Sequence, residues 1–202
     1  MNEAAAEAAS FVEKWRARWP EWNIARVFVP AGQRELAEAW FALLQEWTDA
    51  AATAEPAPGL AKLAWWQEEL RGWAKGARRH PLGAALQKTA LDWNALADAL
   101  PALARREEWG NGEALAPLAR ALSAAEQRLF DEARDGERSI QAALMQALPR
   151  ASAPGAPAGE GTRPRRILAA LAEARTGSGQ TPVPPWATLR CSWRAARGHR
   201  PG

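Results

Sequence analysis

The chain has 202 residues, enough for one domain with an appendage and too few for two large independent cores. Hydrophobic residues make up 48% and charged residues 24%, a globular composition that excludes a wholly disordered chain. The net charge of +3 is split unevenly, because residues 163–202 carry eight Arg and one acid, leaving +7 there and −4 in the first 162 residues.

Helix is the expected element throughout, since Ala supplies roughly a quarter of the chain and the β-branched residues that build sheet are scarce. Between Pro30 and Pro56, Leu36, Trp40, Leu43, Leu44 and Trp47 recur at steps of three and four and line one helical face. The Pro56-Ala-Pro-Gly59 break separates this stripe from a second, Leu60, Leu63, Trp66, Leu70 and Trp73. His80-Pro81 marks a boundary, with the proline suited to a first helical turn. Leu82, Leu86, Trp93, Leu96, Leu100 and Leu103 follow in a near-heptad pattern in which Thr89 is the one non-apolar step and Pro101 kinks or ends the helix. After the turn at Trp109-Gly-Asn-Gly112 come Leu115, Leu118, Leu122 and Leu129, and beyond Gly136 come Ile140, Leu144 and Leu148. Residues 150–164 are rich in Pro, Gly and Ala and read as a flexible linker, followed by a short helix at 165–175 and a basic, Trp-containing tail.

The expected architecture is therefore all-α: five or six mostly antiparallel helices in residues 1–149, a linker at 150–164, and a short helix with a basic Trp/Arg tail at 165–202. Twelve Trp against no Tyr is unusual. Trp40, Trp47, Trp66 and Trp93 fall on the inner faces, where they either pack a core or line an apolar cavity for a hydrocarbon ligand.

Phosphate loops, dinucleotide fingerprints, His pairs at metal spacing and nucleophile elbows are missing. His80 and His199 are the only histidines, and Cys191 is the only cysteine, which excludes an intramolecular disulfide framework and a Cys-based metal cage. The acidic opening run has no signal-peptide character, and no stretch approaches the ~18 apolar residues of a membrane span, so a cytoplasmic location is expected, with peripheral membrane contact left open.

Two blocks carry a resemblance. Ile24-Ala-Arg-Val-Phe-Val-Pro30, Arg34 and Leu36-Ala-Glu-Ala-Trp-Phe-Ala-Leu-Leu-Gln-Glu46, followed by Leu60-Ala-Lys-Leu-Ala-Trp-Trp66-Gln-Glu-Glu-Leu70, His80-Pro81 and Leu86, are together similar to the first part of the squalene/phytoene synthase family. The resemblance covers roughly residues 11–100 and implies an isoprenoid-synthase-like helical fold, here truncated. Active members join two prenyl diphosphates head to head, with two aspartate-rich motifs holding Mg²⁺ against the diphosphates.

That resemblance nominates Glu46 and Asp49 as the remnant of the first acidic motif and Asp131 and Asp135 as the second, with Arg26 and Arg34 as grips for diphosphate oxygens. The first motif is depleted, since Ala50, Ala51 and Ala52 follow Asp49. Asp131-Glu-Ala-Arg-Asp135-Gly-Glu-Arg138 also reads as a solvated, salt-bridged helix end. The expectation is a degenerate, non-catalytic relative that binds a prenyl lipid or acts as an accessory or assembly protein, needing no cofactor. Its alternative is a Mg²⁺-dependent prenyltransferase acting on farnesyl or geranylgeranyl diphosphate. A third reading is an interaction module whose Trp186, Arg190, Trp193, Arg194, Arg197 and Arg200 dock on an acidic protein or an anionic membrane surface. Nucleic acid is disfavoured because no recognition module is present.

Overall fold

A computed structural model describes residues 3–110, 112–149, 159–179 and 181–198. Among them every regular element is helical. The longer helices are α1 (Glu3–Arg18), α3 (Arg34–Ala52), α4 (Pro56–Ala74), α7 (Ala116–Phe130), α8 (Glu137–Ala147), α9 (Arg163–Ser178) and α10 (Pro185–Ala196). Shorter are α2 (Trp22–Ala25), α5 (Gly83–Leu86) and α6 (Trp93–Ala99). The described helices outnumber the five or six expected, mainly because single turns close corners between the long ones.

Helix α3 is the centre of the arrangement. It packs against α1, α4 and α8, and its Trp40, Phe41, Leu43 and Trp47 are almost wholly buried. Pro56 opens α4 in the first turn, where a missing N–H costs nothing. Gly59 lets α4 approach α3 so closely that a Cβ there would stand 2.3 Å from the Ala50 carbonyl oxygen. The near-heptad run from Leu82 to Leu103 is two helices rather than one. The Thr89 hydroxyl donates to the Leu86 carbonyl at 2.6 Å, and Asp92 starts α6 by accepting from the Ala95 amide at 2.9 Å, so the two side chains end one helix and cap the next. Beyond Ala99 the chain tightens into a 3₁₀ turn at Leu100–Ala104, which absorbs Pro101.

Residues 150–158 of the expected linker lie outside the described residues. Its end is ordered: Arg134 donates to the Gly159 carbonyl at 3.2 Å, and Gly161 packs on Gly136. The segment read as an appendage joins the core. Ile167 and Leu171 of α9 are fully buried in the same hydrophobic cluster as α3 and α7, and α10 packs along α9. Helix α9 also runs three residues beyond the expected 175, to a left-handed Gly179.

Tryptophans fill this core, and each side of it is organised by buried carboxylates. Trp22 Nε1 donates to Glu38 at 3.1 Å, Trp40 Nε1 to Glu126 at 2.9 Å, and Trp73 Nε1 to Glu69 at 2.7 Å. Each of these glutamates is also paired with arginine: Glu38 with Arg16 and Arg26, Glu126 with Arg165, Glu69 with Arg79. A buried carboxylate is tolerated only when its charge and lone pairs are met, and these are.

Candidate functional site

Three of the four nominated acids, Glu46, Asp49 and Asp135, are already engaged through their carboxylates. Glu46 is buried, with Lys14 of α1 donating to one oxygen and Lys62 of α4 to the other, both at 2.7 Å. Burial pushes the Glu46 carboxyl up, but the two lysines outweigh it and hold it below the ordinary carboxylate value. Lys14 is raised in turn, chiefly by its hydrogen bond to Glu46. Asp49 lies 2.8 Å from Arg18 and 3.3 Å from Lys14.

Asp131 and Asp135 have other work. Asp131 is the left-handed residue that ends α7, at φ 50°. Asp135 accepts from the Glu137 amide at 3.0 Å and from the Ser123 hydroxyl at 3.0 Å, and the first of these contacts does most to lower its pKa. The two acidic pairs also stand at opposite ends of α3. Gln33, at the start of that helix, donates to the Phe130 carbonyl at 3.0 Å, so Asp131 sits beside its N-terminus. Glu46 is thirteen residues further along, about 20 Å at helical rise. Among the described residues no group of three or more His, Cys, Asp or Glu is arranged to hold a metal ion. A hard cation needs uncommitted oxygens, and the donor set at Glu46 and Asp49, saturated by ammonium and guanidinium groups, does not fit Mg²⁺.

The nominated diphosphate grips are structural. Arg34 donates to the carbonyls of Val29 at 3.0 Å and Val27 at 3.1 Å, clamping the turn before α3. Arg26 lies 3.0 Å from buried Glu38. The four nominated tryptophans are buried in the core: Trp47 and Trp66, Trp66 and Trp73, and Trp73 and Trp93 meet edge to face, while Trp40 is held by Glu126. His80 closes this cluster against Trp66 at 4.3 Å and Phe11 at 4.6 Å. Burial drives its pKa down from 6.5 to about 4, so the ring is neutral at pH 7 and accepts from the Leu82 amide.

A cavity of about 410 Å³ lies elsewhere, between α1, α3, α8 and α9, within the range that small-molecule sites occupy. Trp15, Trp19, Leu44, Ile140, Leu144 and Leu168 supply apolar wall. Two buried polar atoms among its lining residues have no hydrogen-bond partner, Gln45 Oε1 and Ser139 Oγ. Of the cationic lining, Arg165 and Arg175 are held by the buried Glu126 and Glu21, and Arg18, half exposed, pairs with Asp49. The site therefore offers a largely apolar wall whose arginines are already ion-paired, and the two unpartnered atoms lie beneath that wall rather than open to the cavity. Gln45 and Ser139 each sit one residue off an apolar stripe, beside Leu44 and Ile140, and nothing periodic in the sequence marks them.

No family model, no curated protein and no solved structure matches this chain.

Proposed function

We propose that this is a non-catalytic helical protein, of squalene/phytoene synthase-like ancestry, that binds an isoprenoid-type lipid with a neutral polar end in the cavity between α1, α3, α8 and α9. The observation that carries this reading is the cavity of about 410 Å³ and its apolar wall of Trp15, Trp19, Leu44, Ile140, Leu144 and Leu168. The hydrocarbon part of the ligand lies against the Trp and Leu walls, where burial is the driving force. The isoprenoid identity of that chain rests on the sequence resemblance. The neutral head rests on the committed arginines, which also argue against a prenyl diphosphate, and the lysine-neutralised Glu46 argues against Mg²⁺-assisted transfer.

The test is tryptophan fluorescence titration with farnesol and with farnesyl diphosphate, with and without Mg²⁺, alongside product analysis. Farnesol is expected to bind, at least about tenfold tighter than the diphosphate, with no effect of Mg²⁺. Ala143→Trp, which fills the cavity from α8, is expected to abolish binding while leaving the far-ultraviolet circular dichroism intact. Mg²⁺-dependent product formation that disappears in Glu46→Ala/Asp49→Ala would overturn the reading in favour of a prenyltransferase. Farnesol binding indifferent to Ala143→Trp would remove the cavity from consideration.

A further inference from the structure

Helix α10 is amphipathic with its large apolar side chains on the outside. Its inner face, packed on α9, is made of Thr188, Ser192 and Ala195. Its outer face carries Trp186, 66% exposed, Leu189, 49%, and Trp193, 46%, at positions i, i+3 and i+7. Arg190, Arg194 and Arg197 share that side of the helix, and all three are exposed. Arg190 stacks on Trp186 at 5.1 Å and Arg197 on Trp193 at 4.6 Å, so guanidinium and indole stand side by side. The helix contains no acid, and among the described residues none of these three arginines is ion-paired, whereas arginines of the body such as Arg16, Arg165 and Arg175 are.

The face is also held rigidly. Arg166, itself buried, donates from Nε to the Ala195 carbonyl at 2.9 Å and ties the end of α10 to the start of α9. Thr188 donates to the Val183 carbonyl at 3.2 Å at the other end. The turn bearing Val27, 56% exposed, packs beside α10 and adds to the apolar surface. Trp186 stands mostly in water, and Leu189 and Trp193 keep about half of their surface there, an apolar exposure that packing within this molecule leaves uncovered.

We infer that the outer face of α10 docks on an anionic lipid bilayer, lying in the interface with Trp186, Leu189 and Trp193 in the headgroup and acyl boundary and Arg190, Arg194 and Arg197 on the lipid phosphates. Indole is the side chain suited to that boundary, with an apolar body and a polar N–H, and unpaired arginines beside it complement a negative surface. None of the described helices is long and apolar enough to cross a membrane, and an interfacial contact requires no crossing. Indole, leucine and arginine side chains interleaved on one helix face match a partner with an apolar interior under a charged surface, which favours a bilayer over an acidic protein.

The experiment is co-sedimentation of the full chain with vesicles of phosphatidylcholine and of phosphatidylcholine containing about a third phosphatidylglycerol, at low and high salt. Partitioning into the anionic vesicles is expected to exceed that into the neutral ones by at least about tenfold and to weaken with salt. Arg190→Gln/Arg194→Gln/Arg197→Gln is expected to lower anionic partitioning about a hundredfold, and Trp186→Ser/Trp193→Ser to lower it as well, both with unchanged circular dichroism. Ala143→Trp is expected to leave vesicle binding intact, which separates this surface from the cavity. Equal partitioning into both vesicle types, or none into either, overturns the inference. Capture by polyglutamate without vesicle binding overturns it too, and assigns the face to an acidic protein instead.

Discussion

Trp40, Glu126 and Arg165 form the most deeply buried of three Trp–Glu–Arg units, with the carboxylate and guanidinium both almost without solvent contact. Each unit uses a tryptophan where phenylalanine would bury similar area, because the indole N–H occupies a carboxylate lone pair that the arginine leaves open. Of the three, only Trp73 and Glu69 lie at helical i,i+4 spacing and could be anticipated from sequence. Trp22 and Glu38 are 16 residues apart and Trp40 and Glu126 are 86, so no local pattern announces them. His80 makes the residue-scale prediction. Its folded pKa of about 4 lies below the ordinary 6.5, so the unfolded chain binds the extra proton between those values. Its contribution to stability is present above pH 6.5 and is lost as pH falls toward 4. Urea midpoints at pH 7 and 5.5 are expected to differ in the wild type, and His80→Gln is expected to shrink that difference; an unchanged difference would mean the ring is not the titrating group. Glu21, Glu46 and Glu69, all lowered from 4.5, act at more acid pH than the comparison of pH 7 with 5.5 covers.

At the scale of elements, the apolar stripes located α3 and α4, but the Pro56–Gly59 stretch read as the break between them is the first turn of α4, and the chain turns at residues 53–55 instead. The same periodicity misread Leu82–Leu103 as one helix. Leucines at near-heptad spacing look alike whether or not the backbone between them is continuous, and the break is made by two polar side chains, Thr89 and Asp92, that bond backbone groups instead of solvent. The contact between α3 and α4 depends on Gly59, where backbone meets backbone. Gly59→Ala is expected to force the two helices apart and to cost about 1–3 kcal/mol, the range for overpacking, measured as a fall in urea midpoint. Gly177→Ala, with nothing within 4 Å of the added carbon, is the control and is expected to be near neutral or slightly stabilising.

For the whole molecule, α9 decides whether residues 1–149 can stand alone. It brings Arg165 to Glu126, Arg175 to Glu21, and Ile167 and Leu171 into the core. A chain ending at 149 leaves Glu126 buried without its cation, a loss of about 3–5 kcal/mol, and uncovers apolar surface besides. Against a typical total of about 5–15 kcal/mol, this fragment is expected to lose its near-ultraviolet tryptophan signal and its cooperative urea transition. A fragment that keeps both would show that α9 and α10 are an appendage after all.

Composition and period alone determined that this chain is helical, where the α3 and α4 stripes run, and that its basic charge collects after residue 162, because those properties are local or additive along the chain; they did not place α1. The family resemblance nominated carboxylates for a metal, and acid residues at i,i+3 or i,i+4 share a helical face whatever stands opposite. Only the tertiary structure decided what does stand opposite: lysines from α1 and α4 at Glu46, a cavity flanked by Gln45 and Ser139, and an α10 whose tryptophans face outward. Partners of a buried charge and the side of a helix left uncovered depend on elements far apart in sequence, and that information exists only once the helices have packed.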